Sequence, residues 1–228
     1  IGGYSAAKLR RYQDLWDWHL TEQLRKGDIL DNGILNMLNM KYFIYPNQQQ
    51  QGGAPQYGQN PNALGNAWIV QRIEVVENAD SAILALGDLN PRTTAFVEKE
   101  HAEILKSTES VDPSATVTLK SYHPEKLTYS FSSATEANVV FSEVYYDKGW
   151  KAYIDNKEVP HARVNYILRG LKVPEGSHEI VFEFKPETYA LGTSLSLGFG
   201  AIVYILIGAA LFVWLKKEFL SKDEVAKA

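Results

Sequence analysis

The 228-residue sequence contains no cysteine. This absence excludes disulfide bonds, a thiol nucleophile and zinc–thiolate sites. Basic residues are not concentrated either, since the formal net charge is −4 at pH 7 and no stretch holds a dense lysine and arginine cluster. Nucleic-acid binding, which depends on a basic surface, is therefore disfavoured.

Sequence signatures of common enzyme classes are also missing. The five histidines show no HExxH-like spacing, and no GxSxG, Walker or GxGxxG motif occurs. Carboxylates are plentiful but scattered, whereas a glycoside hydrolase would need two of them close together in a pocket. We therefore expect no metal, no cofactor and no catalytic residue in this chain.

A long apolar run lies near the end of the chain. No charged residue occurs in 191–215, and most of this segment is apolar (LSLGFGAIVYILIGAALFVWL). As a helix, this apolar core would be roughly 30 Å long, the hydrocarbon thickness of a bilayer. Tyr189 and Trp214 stand near the two ends, where aromatic rings favour the lipid–water boundary. The sequence thus predicts one transmembrane helix over 191–215.

Lysines follow the apolar run and indicate its orientation. The tail 216–228 contains Lys216, Lys217, Lys222 and Lys227. The positive-inside rule places this tail in the cytoplasm and the bulk of the chain on the other side of the membrane. The start of the chain has neither a basic segment nor a signal-like apolar stretch. We therefore expect the lipid bilayer as a partner, together with transmembrane helices upstream in the same protein.

Small residues recur on one face of the predicted helix. Gly192, Ser196, Gly200 and Gly208 follow a four-residue spacing, which Tyr204 interrupts. Such a stripe allows close approach of a second helix. Glycine is also simply common in membrane helices, and the sequence does not separate the two interpretations.

Residues 1–106 show mixed helix and strand patterns. Apolar residues at helical spacing predict a helix from the capping residue Ser5 to Gly27. The other predicted elements are helices at Ile34–Met40 and Ala79–Leu86, a buried strand at Tyr42–Tyr45, and strands at Trp68–Val76 and Thr93–Glu98. Residues 47–66 are rich in Gln, Asn, Gly and Pro, which predicts a surface loop. We interpret 1–106 as an α+β extracytoplasmic segment.

Residues 107–186 have a different pattern. From residue 115 onwards, short alternating segments are separated by turn signals such as Asp155-Asn156 and Pro174-Glu175-Gly176. This spacing predicts seven or eight strands in an antiparallel β-sandwich of the jelly-roll or immunoglobulin-like kind. The predicted fold class is therefore an α+β segment, then a β-sandwich, then one transmembrane helix.

Aromatic and polar residues cluster within the predicted sandwich. The glycan-binding candidates are Tyr146, Trp150, Asn165, Tyr166 and Arg169. Exposed rings can stack on sugars, and Asn and Arg can bind hydroxyl groups or a lipid-linked phosphate. The alternative is that the rings fill the core, because aromatic residues favour strands in any case. The core is the favoured interpretation of the two.

Four segments of the chain resemble the C-terminal portion of the YfhO family of polytopic bacterial membrane proteins, in the form found in Bacteroidetes-type bacteria. They are GGYSAAKLRRYQDL (2–15), LNMLNMKYFI (35–44), NPNALGNAWIV (60–70) and GWKAYIDNKEVPHARVNYILRGLKVPEGSHEIVFEFKP (149–186). The resemblance spans nearly the whole chain and does not include the Gln-rich loop.

The resemblance implies a relation to the GT-C class of glycosyltransferases, which transfer sugars from polyprenyl phosphates onto cell-envelope polymers. The catalytic acid of that class lies in an early loop of the multi-helix region, so no catalytic residue carries over to this chain. The expected function is that of an extracytoplasmic accessory domain in the bacterial inner membrane, with an envelope glycan or a polyprenyl-phosphate sugar as a further partner. The alternative is a non-catalytic structural or protein-interaction module of the cell envelope.

Overall fold

The computed structural model describes residues 9–26, 32–45 and 55–225. The chain divides into two units, Ile1–Phe184 and Lys185–Ala228. The division follows Phe184, close to the predicted end of the sandwich. No division occurs at the predicted boundary between residues 106 and 107.

Five α-helices are described. Helix α1 (Arg10–Leu15) continues through a π-helical turn (Trp16–Leu20) into α2 (Thr21–Lys26), and α3 (Gly33–Met37), α4 (Ala79–Ala85) and α5 (Glu187–Val225) follow. Short 3₁₀ turns occupy Leu86–Asp88 and Lys99–His101. The predicted helix ends Ser5 and Gly27 lie outside the described residues. Side-chain caps are present at α3, from Asn32, and at α4, from Asn78.

Thirteen strands form in the described residues. In chain order they are β1 Tyr42–Tyr45, β2 Gln56–Gln59, β3 Ala67–Val70, β4 Arg72–Val76, β5 Thr94–Glu98, β6 Thr116–His123, β7 Lys126–Ser133, β8 Ala137–Val144, β9 Trp150–Ile154, β10 Lys157–Val159, β11 Ala162–Val164, β12 Leu168–Val173 and β13 Gly176–Phe184. Eight strands, β6 to β13, lie in the region where the sequence predicts seven or eight. The predicted Asp155-Asn156 turn joins β9 to β10, with both residues at positive φ (49° and 65°), as a tight two-residue hairpin requires.

Two larger sheets pack into the predicted sandwich. One has five strands in the order β10-β9-β13-β7-β6, and the other has six in the order β3-β8-β12-β11-β5-β4. All of the pairings are antiparallel except that of β4 with β5. Because β3, β4 and β5 precede residue 107, the N-terminal segment contributes half of the second sheet. The sandwich is therefore not confined to residues 107–186.

The segment Trp68–Val76 is two strands rather than the single strand predicted. Strands β3 and β4 lie at opposite edges of the six-stranded sheet, and only Gln71 separates them. The backbone N–H groups of Gln71 and Arg72 both donate to the Thr93 carbonyl, at 3.1 and 3.0 Å. Since one residue spans only about 3.5 Å, the sheet must curl until its two edges meet at this corner.

The described part of the predicted 47–66 loop contains strand β2. This strand pairs with β1 in a separate two-stranded hairpin. The hairpin also corrects the expectation that β1 is buried, because Tyr42 and Ile44 are 56% and 75% exposed, whereas Phe43 enters the core at 8% exposure. A two-stranded antiparallel hairpin packs one face on the core and exposes the other to solvent. Its side chains are therefore expected to alternate between buried and exposed.

The six-stranded sheet is covered on both faces. Towards the five-stranded sheet it presents residues such as Val139, Phe141 and Leu171, which form one core cluster with Tyr129 and Phe182. On the other face, alternate residues of the same strands pack against the helices in a second cluster, which includes Leu15, Leu35, Ile83, Val140 and Leu168. The N-terminal unit therefore has three layers: helices, a six-stranded sheet and a five-stranded sheet.

Helix α5 belongs to the second unit. Its segment Leu191–Lys217 is long and apolar enough to cross a membrane, with a mean hydropathy of 2.3. Its apolar side chains are exposed, for example Phe199 at 66% and Ile205 at 70%. This composition fits a lipid environment, as the sequence predicts.

Gly170 on β12 provides a test of the packing between the sheet and the segment that covers it. A Cβ added there would lie 2.7 Å from Val164 Cγ1 and 2.8 Å from Leu105 Cδ1. We expect Gly170→Ala to lower the free energy of unfolding by about 1–3 kcal/mol through overpacking. The measurement is chemical denaturation of the full chain in lipid nanodiscs.

Gly87→Ala is the matched control, because its added Cβ would meet only His19 Cε1, at 3.9 Å. We expect that variant to unfold within about 0.5 kcal/mol of the wild type. Equal stabilities of the two variants would contradict the packing described for β12.

Candidate functional site

Glu98, at the end of β5, holds the first helix against the sheet. Its side chain is buried and accepts hydrogen bonds from both terminal nitrogens of Arg11 on α1; the Arg11 Nη2–Glu98 Oε2 distance is 3.0 Å. Arg163 on β11 approaches the same carboxylate, with Nη1 at 3.5 Å from Oε1. A two-pronged arginine pair of this kind fixes orientation as well as distance. Glu98 therefore joins the helical layer to the middle layer.

The two arginines keep Glu98 ionised. Burial opposes the charged form of the carboxylate, but the hydrogen bond and charge of Arg11, together with the charge of Arg163, outweigh it. The pKa of Glu98 is therefore lower than its ordinary value. An ionised Glu98 is an ion-pair partner rather than a proton donor at neutral pH.

Tyr166 adds a second connection to the same helix. Its hydroxyl donates to Asp14 Oδ2 at 2.9 Å, and the Arg11 guanidinium lies over its ring, 4.8 Å from the centroid. The neighbouring Asn165 is fully buried; its Oδ1 accepts from Phe96 N, and its own N–H donates to Phe96 O, both at 2.9 Å. Both residues have positive φ, 48° and 71°, which is unfavourable for residues other than glycine. Their side-chain hydrogen bonds to β5 and α1 hold the turn in this conformation.

Arg169 and Trp150 form a separate contact between the two sheets. Arg169 is 2% exposed, donates from Nε to Val144 O at 3.0 Å, and lies over the Trp150 ring at 4.1 Å. Trp150 is half-buried and also packs against Phe184, with ring centroids 5.4 Å apart. Burial lowers the pKa of Arg169 to about 10, so the side chain remains charged at neutral pH.

A cleft of about 180 Å³ opens beside the Glu98 cluster. We call it the arginine–tyrosine cleft; its lining includes Arg10, Arg11, Arg163, Tyr145, Tyr146 and Asp147. Tyr146 is 36% exposed, and the Arg163 guanidinium lies 4.9 Å from the Tyr145 ring centroid. Arg10 is exposed and forms no ion pair with another described residue. The cleft thus combines a positive charge with aromatic surface.

The structure does not bring the five glycan-binding candidates together on one open surface. Only Tyr146 lines the cleft, whereas Asn165, Tyr166 and Arg169 are buried in internal contacts and Trp150 packs on Arg169. The sequence-based interpretation missed Arg10, Arg11 and Arg163 as members of a site. The Arg10-Arg11 pair was visible in the sequence, but its proximity to Tyr146 depends on the pairing of α1 with Glu98.

Two histidine rings lie beside the cleft. His101 and His161 flank Tyr145, with ring centroids 5.4 and 5.2 Å from its ring. Burial lowers the pKa of His161 to about 4 and also lowers that of His101, so both rings are neutral at pH 7. Asp147 supplies the only carboxylate of the cleft lining. Among the described residues, no group of three histidines or carboxylates is placed to hold a metal ion.

Together, a β-sandwich and one long apolar helix define a class: a membrane protein that contains a folded β-rich domain and a helix able to span the membrane. Residues 104–196 match the family model described as bacterial membrane protein YfhO. This match confirms the resemblance to the YfhO family that the sequence shows. Searches of curated proteins and of solved structures return no match.

Removal of the Glu98 charge tests the connection between the helix and the sheet. Glu98→Gln leaves Arg11 and Arg163 without their shared carboxylate, and their side chains are only 28% and 17% exposed. We expect a loss of about 2–3 kcal/mol in the free energy of unfolding, somewhat less than for a fully buried pair. Chemical denaturation of the full chain measures it.

Glu77→Gln is the control, because Glu77 pairs with Lys99 at the surface and both side chains are more than 60% exposed. That change should cost less than about 1 kcal/mol. If the two variants lost the same stability, Glu98 would not be a principal contact.

The lowered pKa of Glu98 also predicts a pH dependence. The stabilisation from a carboxylate with a lowered folded pKa is complete above its unfolded pKa of about 4.3 and disappears as the pH falls through the folded value. The stability difference between wild type and Glu98→Gln should therefore be largest near neutral pH and shrink between pH 5 and pH 3. Denaturation curves at pH 7, 5 and 3 measure this difference, and a constant difference would contradict the assignment.

Proposed function

We propose that this chain is an extracytoplasmic accessory domain, with a final membrane helix, of a polytopic YfhO protein related to GT-C glycosyltransferases. In this role it assists sugar transfer from polyprenyl phosphates onto cell-envelope polymers, and the catalytic residues lie outside this chain. Three observations support the proposal: the family match, the apolar helix Leu191–Lys217, and the arginine–tyrosine cleft on the folded unit.

The chemistry of the cleft is the single observation that carries the proposal. Guanidinium groups bind phosphate oxygens, and tyrosine rings pack against the apolar faces of sugars. Arg10 and Tyr146 are both accessible at the cleft, so they are available to such a ligand. The volume of about 180 Å³ is smaller than the roughly 300–1,000 Å³ of a typical ligand pocket. The cleft therefore suits one phosphate or one sugar ring, and positions a substrate rather than enclosing it.

The membrane helix supplies the second part of the proposal. We place it in the inner membrane of a Bacteroidetes-type bacterium, with the folded unit extracytoplasmic and the lysine-rich tail cytoplasmic. Its partners there are lipid and the upstream helices of the same protein. A Cβ added at Gly192, Gly200 or Gly208 would meet nothing within 4 Å, which leaves this glycine face open to a neighbouring helix.

A structural or protein-interaction module is the second candidate, and a specific observation favours it. Asn165, Tyr166 and Arg169 are at most 6% exposed and make internal contacts. Side chains used in this way stabilise a fold and leave no surface for a ligand. In this alternative the domain stabilises the parent protein or contacts another envelope protein, and the cleft has no ligand.

Binding of a phosphate-bearing headgroup separates the two candidates. The full chain in lipid nanodiscs is titrated with citronellyl phosphate, a short-chain prenyl phosphate, by calorimetry. Arg10→Ala and Tyr146→Ala should each weaken binding, by about tenfold for the arginine, since a charge-assisted hydrogen bond contributes about 1.5–3 kcal/mol.

Arg25→Ala is the matched control, because Arg25 lies on the same continuous helix and pairs with Glu22 at the surface, outside the cleft. It should leave the affinity unchanged. Absence of saturable binding to the wild type, or equal weakening by Arg25→Ala, would favour the structural module.

A further inference from the structure

A second cleft, of about 320 Å³, lies where three loop and helix-end segments meet. We call it the asparagine cleft. Its lining includes Asn36 on α3, Asn62 and Leu64 from the turn after β2, and Asn90, Pro91 and Arg92 before β5. Its volume falls within the roughly 300–1,000 Å³ of ligand pockets, unlike that of the arginine–tyrosine cleft. Among the described residues, its lining contains no carboxylate, histidine or aromatic side chain.

The buried side chain of Asn60 fixes the position of residues that line this cleft. It is 3% exposed, and its Nδ2 donates to Asn36 Oδ1 and to Met40 O, both at 2.9 Å. Its Oδ1 accepts from Asn62 N at 3.0 Å. The first two bonds join Asn36 and Met40 to Asn60, and so connect two of the segments that carry the family resemblance, whereas the third lies within the turn that follows Asn60. The position of Asn36 in the cleft is therefore fixed by a buried, satisfied amide.

The opposite wall is equally well fixed. Pro91 is buried, and its carbonyl accepts from Trp68 Nε1 at 2.7 Å. Gly33 lies so close to this wall that an added Cβ would be 3.1 Å from Leu89 O and 3.2 Å from Pro91 Cδ. Such contacts hold the cleft in one shape before any ligand arrives, which reduces the entropic cost of binding.

The cleft presents amide and guanidinium groups that have bonding capacity left. The Asn36 and Asn90 side-chain nitrogens make no hydrogen bond to another described residue, since these amides bond through their oxygens to Asn60 and to Arg92 N. The exposed Arg92 donates from Nη2 to Asn62 O at 3.2 Å and forms no ion pair within the described part of the chain. A side-chain amide both donates and accepts, so it pairs with neighbouring hydroxyl groups, which do the same.

We propose that the asparagine cleft binds a neutral or weakly anionic saccharide. The amides of Asn36 and Asn90 and the guanidinium of Arg92 would bond its hydroxyl groups, and Leu64, Leu89 and Pro91 would contact its C–H faces. One arginine without a second cation does not favour a multiply charged phosphate. A peptide strand is also disfavoured, because the lining residues are helix ends and turns rather than a sheet edge open to strand addition.

This site is separate from the arginine–tyrosine cleft, since the two share no lining residue. Its ligand class follows from the amide chemistry alone, so the inference goes beyond the proposed function and does not depend on prenyl phosphate binding. A saccharide hydroxyl group can accept a transferred sugar, whereas a sugar phosphate is the donor of one.

Ligand-observed NMR on the full chain tests the proposal. The protein is placed in lipid nanodiscs, because maltoside detergents carry sugars themselves, and is titrated with cellotetraose and with chitotetraose. Asn90→Ala and Arg92→Ala are the test variants, since Asn36 also bonds Asn60 and its loss would disturb the fold. Arg72→Ala is the control: Arg72 is exposed like Arg92 but lines a different cleft, with Thr93 and Ser107.

We expect saturable binding of at least one oligosaccharide, weakened fivefold or more by each test variant and unchanged in Arg72→Ala and Tyr146→Ala. Failure of both oligosaccharides to bind, or binding that the test variants do not weaken, would overturn the proposal. Loss of binding in Tyr146→Ala alone would also overturn it, because the saccharide would then occupy the arginine–tyrosine cleft. Prenyl phosphate binding that persists in Arg92→Ala would confirm that the two sites are independent.

Discussion

The fold depends on one constraint: the inner strands of the six-stranded sheet are buried on both faces. Helices cover one face and the five-stranded sheet covers the other, so a polar side chain on these strands has little access to water. A buried polar group without a partner costs free energy, and a buried charge costs more. This explains why Glu98 pairs with two arginines, why Asn165 bonds the β5 backbone, and why Arg169 stacks on Trp150.

Because of the same constraint, the two clefts lie at the margins of the sheet. Its two faces are occupied, so ligand groups remain available only where loops and helix ends meet. Both clefts lie there, and each is shaped by a buried polar group: Glu98 beside the arginine–tyrosine cleft and Asn60 beside the asparagine cleft.

Local pattern was sufficient for much of the fold. The apolar run predicted a long helix where α5 lies, and alternation with turn residues predicted seven or eight strands in the region of β6 to β13. Long-range pairing was not predictable in this way. Nothing in WIVQRIEVV indicates that β3 and β4 lie at opposite edges of one sheet, because that depends on partners about 70 residues away for β3 and 20 for β4. Tyr146 is a candidate from the sequence, whereas its arginine neighbours are not, since Arg10 and Arg163 meet only after the Glu98 pair forms.

We expect the N-terminal helices and the sandwich to unfold as one cooperative unit, joined at Glu98. Hydrogen exchange of the full chain in nanodiscs, followed by mass spectrometry at increasing denaturant, tests this directly. If they do, peptides from the helix Arg10–Lys26 and from strand Leu168–Val173 lose protection from exchange at the same denaturant concentration. Loss of protection in the helix at a clearly lower denaturant concentration than in the strand would contradict this expectation. The helices would then unfold independently of the sandwich.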